Sequence, residues 1–122
     1  MPRVVHFEMG VQDTARAAAF YHHVFGWGAY QVDGPEDYWI LTTGPDGEPG
    51  IDGGLIRRQD GLPRTINSID VESVDLYLER VLSNGGTVST PKKAIPGVGY
   101  LAYCTDTEGN LFCIFETNPS AE

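Results

Sequence analysis

No apolar run in this chain of 122 residues approaches the roughly 18 that a membrane-spanning helix needs, so no membrane partner is expected. The amino-terminal segment has no basic flank, apolar core or small-residue cleavage site. It does not read as a secretory signal, and a cytoplasmic location is expected. Basic residues are scarce, eight against 17 acidic ones, giving a formal charge of −9. Phosphate backbones would be repelled, and no basic patch offsets this, so nucleic acid is not an expected partner. Cysteine is nearly absent too. Cys104 and Cys113 flank a turn at Asp106-Thr107-Glu108-Gly109-Asn110. A hairpin paired symmetrically about Glu108 would send the two thiols to opposite faces of the sheet. A disulfide is then not expected, which fits a reducing compartment.

What is present is a resemblance of the chain to itself at a spacing of 60 residues. The strand-like run Val4 to Val11 precedes the helix-like Thr14 to Phe25 and then Gly26-Trp27. Sixty residues on, Arg64 to Val71 precedes Val74 to Leu82 and then Gly85-Gly86. Gly50 to Leu55 likewise falls on Asn110 to Phe115. A repeat present only twice is not a solenoid, which needs about three or more copies. It predicts two copies of one module, about residues 3–56 and 64–118, in a single domain spanning 1–122.

Local chemistry orders the elements. Val5, Phe7 and Met9 alternate with His6 and Glu8 in the first strand. Asp13 caps a helix carrying Ala15, Ala18, Ala19, Phe20, Val24 and Phe25 as its apolar stripe. Phe20-Tyr21 is expected to seat it on the sheet, and Gly26 stops it. Strands follow over Trp27–Gln31, Tyr38–Thr43 and Ile51–Ile56, with 57–63 as the link between modules. A fifth strand covers Thr65–Val71. Ser73 caps a second helix with Val74, Tyr77, Leu78, Val81 and Leu82 on its stripe. Thr87-Val88-Ser89 begins a strand, and Pro91–Gly99 reads as a flexible loop able to act as a lid. Tyr100–Thr105 and Leu111–Glu116 form the last hairpin, and the polar tail is expected to fray. The order is β-α-β-β-β, twice: an α+β fold of two βαβββ modules. Joined edge to edge, the modules would make one curved mixed sheet with a trough for a ligand.

His6 and Glu8 share the trough face by alternation and are the candidate catalytic pair, the histidine as proton carrier near neutral pH. The competing reading is that they are only a hydrogen-bonded remnant. His22-His23 points away from the helix stripe and reads as solvated.

His6, Asp13, Phe20-Tyr21, Phe25-Gly26-Trp27, Gly53-Gly54-Leu55, Asn84-Gly85-Gly86 and Asp106 to Asn110 together resemble the vicinal oxygen chelate superfamily. This superfamily includes glyoxalase I, bleomycin-resistance proteins and extradiol dioxygenases. The resemblance spans nearly the whole chain. With Pro96-Gly97-Val98-Gly99-Tyr100, the second module looks most like a bacterial subgroup related to lactoylglutathione lyase. The resemblance implies a glyoxalase-like fold and four metal-ligand positions, which fall on His6, Gly53, Ile66 and Cys113. Only His6 keeps a standard ligand. Zinc needs three or four protein ligands and a dioxygenase iron two His and a carboxylate, so no metal site is expected and no cofactor is implied. Glu116, three residues past Cys113, alternates to the other face.

Tyr103, Cys113 and Phe115, joined by Trp39, are the expected ligand-lining residues beside His6 and Glu8. Aromatic side chains in a small sheet could equally be core. Cys113 as a nucleophile would need His6 brought to it by the fold. The resulting expectation is a superfamily member without metal chemistry that binds a small organic molecule, as a homodimer. Two alternatives stand beside it: a metal-free or weakly metal-dependent lyase or isomerase with His6 or Glu8 as base, and a protein sequestering a cationic drug. Whether there is turnover is left open by the sequence.

Overall fold

A computed structural model describes residues 2–58 and 60–122. Met1 and Gln59, the latter in the expected 57–63 link, lie outside the described residues. Among these, the elements run β1 (Arg3–Val11), α1 (Thr14–Phe25), β2 (Gly28–Gln31), β3 (Tyr38–Thr42), β4 (Gly53–Arg57), β5 (Arg64–Asp70), α2 (Val74–Ser83), β6 (Thr87–Ile95), β7 (Gly99–Thr105) and β8 (Leu111–Thr117). The fold is α+β, with the β-α-β-β-β order present twice. The chain divides into two compact units, His6–Ile66 and, in the second, Asn67–Glu122.

In the first unit the strands lie in the order β2-β3-β4-β1. β1 and β4 are parallel; the other pairs are antiparallel. α1 begins where Asp13 accepts a hydrogen bond from Arg16 N and ends at Gly26, whose φ of 76° suits only glycine without strain. One face of the sheet packs beneath α1. Leu41 and Leu55 are fully buried there with Ala18, surrounded by Phe7, Met9, Val11, Ala17, Trp27, Ala29 and Trp39. Each fully buried leucine contributes about 1.5–3 kcal/mol. Tyr21 stacks on Trp27 with ring centres 5.1 Å apart and donates its hydroxyl to Met9 Sδ at 3.4 Å. The expected helix stripe needs correction, because Phe20, Val24 and Phe25 are exposed. Small residues, Thr14, Ala17 and Ala18, make the contact instead, since they let the helix approach the sheet closely.

In the second unit the order is β5-β8-β7-β6, with β5 and β8 parallel and the rest antiparallel. Val71, Val74, Ala102, Cys104 and Ile114 are buried beneath α2, with Ile69, Tyr77, Leu78, Val81, Tyr100 and Phe112 around them. Leu82, expected on this stripe, is exposed. Two acceptors cap α2: Ser73 Oγ receives Leu76 N at 3.2 Å, and Glu116 Oε1 receives Val74 N at 2.9 Å.

The β7–β8 hairpin pairs Thr105 with Leu111, Cys104 with Phe112 and Tyr103 with Cys113, which is symmetric about Glu108. Asp106 Oδ1 accepts from Glu108 N and Asn110 N and builds the turn. Among the described residues, Cys104 and Cys113 form no disulfide. Cys104 lies among the residues packed under α2, while the position of Cys113 alternates to the opposite face.

Two expectations about the second module are corrected. The segment expected as a lid is mostly strand, since β6 runs on to Ile95. Its pairing is irregular between Thr90 and Lys93, which accommodates Pro91 on an edge strand. The tail does not fray. Asn118 N bonds Val98 O and Gly97 N bonds Ala121 O, both at 2.9 Å, and Ala121 is buried.

Candidate functional site

β1 sends Phe7, Met9 and Val11 under α1, so His6 and Glu8 emerge together on the opposite face of the first sheet. Glu8 is buried and His6 partly so. On β3, Tyr38 pairs with Ile56 and alternates with Trp39, which places its phenol on the same face as His6. Its hydroxyl lies 2.9 Å from His6 Nε2, a bond between residues 32 apart in sequence.

Gly54 makes this bond possible. It sits between Glu8 of β1 and Ile40 of β3. A Cβ at position 54 would overlap the Tyr38 hydroxyl. The phenol therefore occupies the space in which a side chain at 54 would stand. Gly53 faces the other way, where a Cβ would collide with the Phe7 ring under α1. The repeat explains why 53 was the expected position. Phe7 faces Gly53 and Asn67 faces Phe112. Phe7 to Asn67 is 60 residues, but Gly53 to Phe112 is 59. The counterpart of Cys113 is thus Gly54, which faces Glu8 as Cys113 faces Ser68.

Burial pushes the His6 pKa below 6.5, and the carboxylates of Glu8 and Asp52 pull it back up. Burial is the larger effect, so the imidazole is neutral at physiological pH. Asp52 is held just before β4 by Thr43, whose backbone N donates to Oδ1 at 2.9 Å.

Asp37, next to Tyr38, gathers donors from across the first unit. Thr14 of α1 donates to Oδ2 at 2.8 Å. Gln31 of β2 and Trp39 of β3 donate to Oδ1 at 3.2 and 3.3 Å. Arg57 of β4 approaches Oδ2 at 3.7 Å. The Thr14 hydrogen bond, helped by those of Trp39 and Gln31, holds the Asp37 carboxyl below its usual range.

In the second unit Tyr103 and Cys113 stand directly opposite each other, and Phe115 is opposite Leu101. By alternation all three lie on the face away from α2. Cys113 is 2% exposed, with its Sγ 3.6 Å from Ile114 O. Within each unit the structure thus groups His6 with Glu8, and Tyr103 with Cys113 and Phe115. Trp39 is a correction. It pairs with Leu55, packs in the core under α1 and spends its indole N–H on Asp37. It does not line the face that carries His6. His22 and His23 are exposed. Tyr38, Asp37, Asp52 and Gly54 escaped the sequence reading. In Tyr38-Trp39-Ile40 every residue is apolar or aromatic, so alternation alone names no face.

The residues present do not fit a divalent metal. At the four ligand positions stand a histidine whose Nε2 is engaged by a phenol, a glycine, an isoleucine and a cysteine. Tyr38 fills the place of a ligand side chain at 54. Among the described residues no three His, Cys, Asp or Glu side chains gather as a metal-binding group.

Comparison with known proteins yields a family and a fold. A family model described as the Glyoxalase/Bleomycin resistance protein/Dioxygenase superfamily matches residues 3–114. No curated protein matches the chain in sequence. Similar solved structures include methylmalonyl-CoA epimerase from Mycobacterium tuberculosis, at TM-score 0.67 and 16% identity over 94% of this chain and 87% of that one. A methylmalonyl-CoA epimerase in complex with methylmalonyl-CoA and NH4+ aligns at TM-score 0.75 and 12% identity, over 100% of this chain and 99% of that one. The hypothetical protein BH1468 from Bacillus halodurans C-125 aligns at TM-score 0.69 and 16% identity, over 99% and 98%. At such identities the likeness concerns the fold alone.

Proposed function

Because the chain belongs to the Glyoxalase/Bleomycin resistance protein/Dioxygenase superfamily, we propose that it is a member without the metal chemistry, binding a small organic molecule at the face carrying His6, Glu8 and Tyr38. The observation that carries this reading is the Tyr38 phenol. It lies over Gly54, where a ligand side chain would stand, and engages Nε2 of His6. A bound metal would act on a substrate oxygen as a fixed Lewis acid, and two of the four ligand positions, a glycine and an isoleucine, offer it no donor. Tyr103, Cys113 and Phe115, the other expected lining residues, share one face of the second unit. A homodimer in a cytoplasmic setting, without nucleic-acid or membrane partners, belongs to the same proposal. The −9 charge speaks against a nucleic-acid partner, and no helix among the described residues is long and apolar enough to cross a membrane.

The test is a histidine-detected NMR titration with nickel or zinc, paired with an assay on the methylglyoxal–glutathione adduct. His6 resonances should stay in place and no turnover should appear. Metal-stimulated turnover that His6→Ala abolishes would overturn the proposal.

One observation favours a second reading, a metal-free isomerase or lyase. A histidine acting as general base must be neutral at the working pH, and burial keeps His6 so. In this reading Nδ1, the ring nitrogen not bonded to Tyr38, takes a proton from carbon beside a carbonyl and returns it, while Nε2–H stays hydrogen-bonded to the Tyr38 oxygen. Among the structural neighbours, the epimerases belong to this reaction class by name.

A further inference from the structure

The bond between His6 and Tyr38 joins residues from two strands that are not hydrogen-bonded neighbours, with β4 between them. A phenol reaching across a strand loses side-chain freedom when it is held in one rotamer. Something must hold its backbone in register. Asp37 and Trp39, the residues on either side of Tyr38, are tied together on the α1 side of the sheet by the indole-to-carboxylate bond. The same carboxylate ties to Thr14 of α1, Gln31 of β2 and Arg57 of β4. Four elements of the first unit thus converge on the residue before Tyr38. Tyr38 itself is additionally bonded through its backbone: its N donates to Glu36 O at 3.0 Å and its O accepts from Val32 N at 2.9 Å. With the strand anchored on both sides by contacts from one face, the intervening side chain is driven to the other face, toward His6.

We propose that Asp37 is a positioning residue for the His6–Tyr38 pair, clamping the strand on either side of Tyr38 so that the phenol meets His6 Nε2. The inference rests on the reading of the His6 face as the ligand site. Asp37 touches neither His6 nor a ligand in this arrangement; it acts through Tyr38. The charged and titratable groups that face His6 directly are Glu8 on β1, Tyr38 on β3 and Asp52 before β4.

The experiment measures the ¹⁵N chemical shift of His6 Nε2 at a pH where the ring is neutral. The full-length wild type is compared with Tyr38→Phe, Asp37→Asn and Thr14→Val. Tyr38→Phe removes the hydrogen bond and sets the reference change. Asp37→Asn and Thr14→Val should move Nε2 in the same direction, Thr14→Val doing so with the Asp37 charge intact. A merely structural or electrostatic role for Asp37 would change the melting temperature, or the pKa, without moving the neutral-ring shift. A cooperative thermal melt of each variant shows that it is folded. A change in Tyr38→Phe with none in either of the other two would overturn the positioning role while leaving the site intact. No change in Tyr38→Phe would remove the His6–Tyr38 pair, and with it both the proposed site and this inference.

Discussion

At position 54 a single missing Cβ decides what the neighbouring histidine can do. The Tyr38 phenol crosses the bare backbone of β4 there, and any side chain would displace it. Gly54→Ala should therefore cost about 1–3 kcal/mol, the usual penalty for overpacking, and release His6 Nε2 from the phenol. Urea denaturation gives the first effect and the His6 ¹⁵N shift the second. A variant as stable as wild type with an unmoved His6 would contradict the arrangement.

His6 also makes a pH prediction. Its folded pKa lies below the 6.5 of the unfolded chain because burial penalises the cation. Between those two values the unfolded chain binds more protons, so stability rises with pH there. The contribution is fully present above about pH 6.5 and is lost as pH falls through the folded value. The lowered carboxyls of Asp37, Asp60 and Asp106 act separately, in the acid range at and below 3.8. The urea midpoint of wild type should drop between about pH 7.5 and about pH 5.5, and drop less in His6→Gln. An equal drop in both proteins would rule His6 out as its source.

At the scale of elements, the two helices are held in different ways. α1 uses small residues against its sheet and leaves Phe20, Val24 and Phe25 outside, at 57%, 54% and 60% exposure. α2 buries Val74 completely and receives caps from both its own Ser73 and β8's Glu116. The Glu116 carboxylate also complements the positive end of the helix dipole. Ser73→Ala should cost about 1 kcal/mol. Adding Glu116→Ala should cost more, because a second backbone N–H then loses its acceptor. Thermal denaturation of the single and double variants measures both. A double variant no weaker than Ser73→Ala would mean that water replaces the Glu116 cap at no cost.

On the scale of the whole molecule, the strongly acidic chain must limit association by charge and favour it by apolar contact. One edge strand of each unit is already guarded: β2 has only four residues, and β6 carries Pro91, Lys92 and Lys93. Lys92 is further committed to Asp75 at 3.0 Å and to the Tyr100 ring, 4.4 Å from its centroid. The exposed aromatic surface of α1 is thus the better candidate for a contact between copies, and closed two-fold dimers are the commonest assembly. Sedimentation at micromolar concentration should give a dimer. The dimer should persist in about 1 M salt, where screening shortens to about 3 Å. A single monomeric species at moderate salt would refute it.

The twofold repeat, both helix N-caps, the glycine stop of α1 and the hairpin about Glu108 were legible because each rests on local chemistry: a capping oxygen, a positive φ, a turn carboxylate. The pairing of His6 with Glu8 was legible because alternation within one strand is local too. Tertiary structure alone decided which glycine stands on the His6 face, since the repeat slips from 60 to 59 residues between the first and last strands. It also decided that Tyr38 reaches His6 while Trp39 turns inward, that Phe20 and Phe25 stay outside, and that β6 continues through Pro91. Alternation orders faces within a strand. Only packing against a neighbour sets the register that says which face is which.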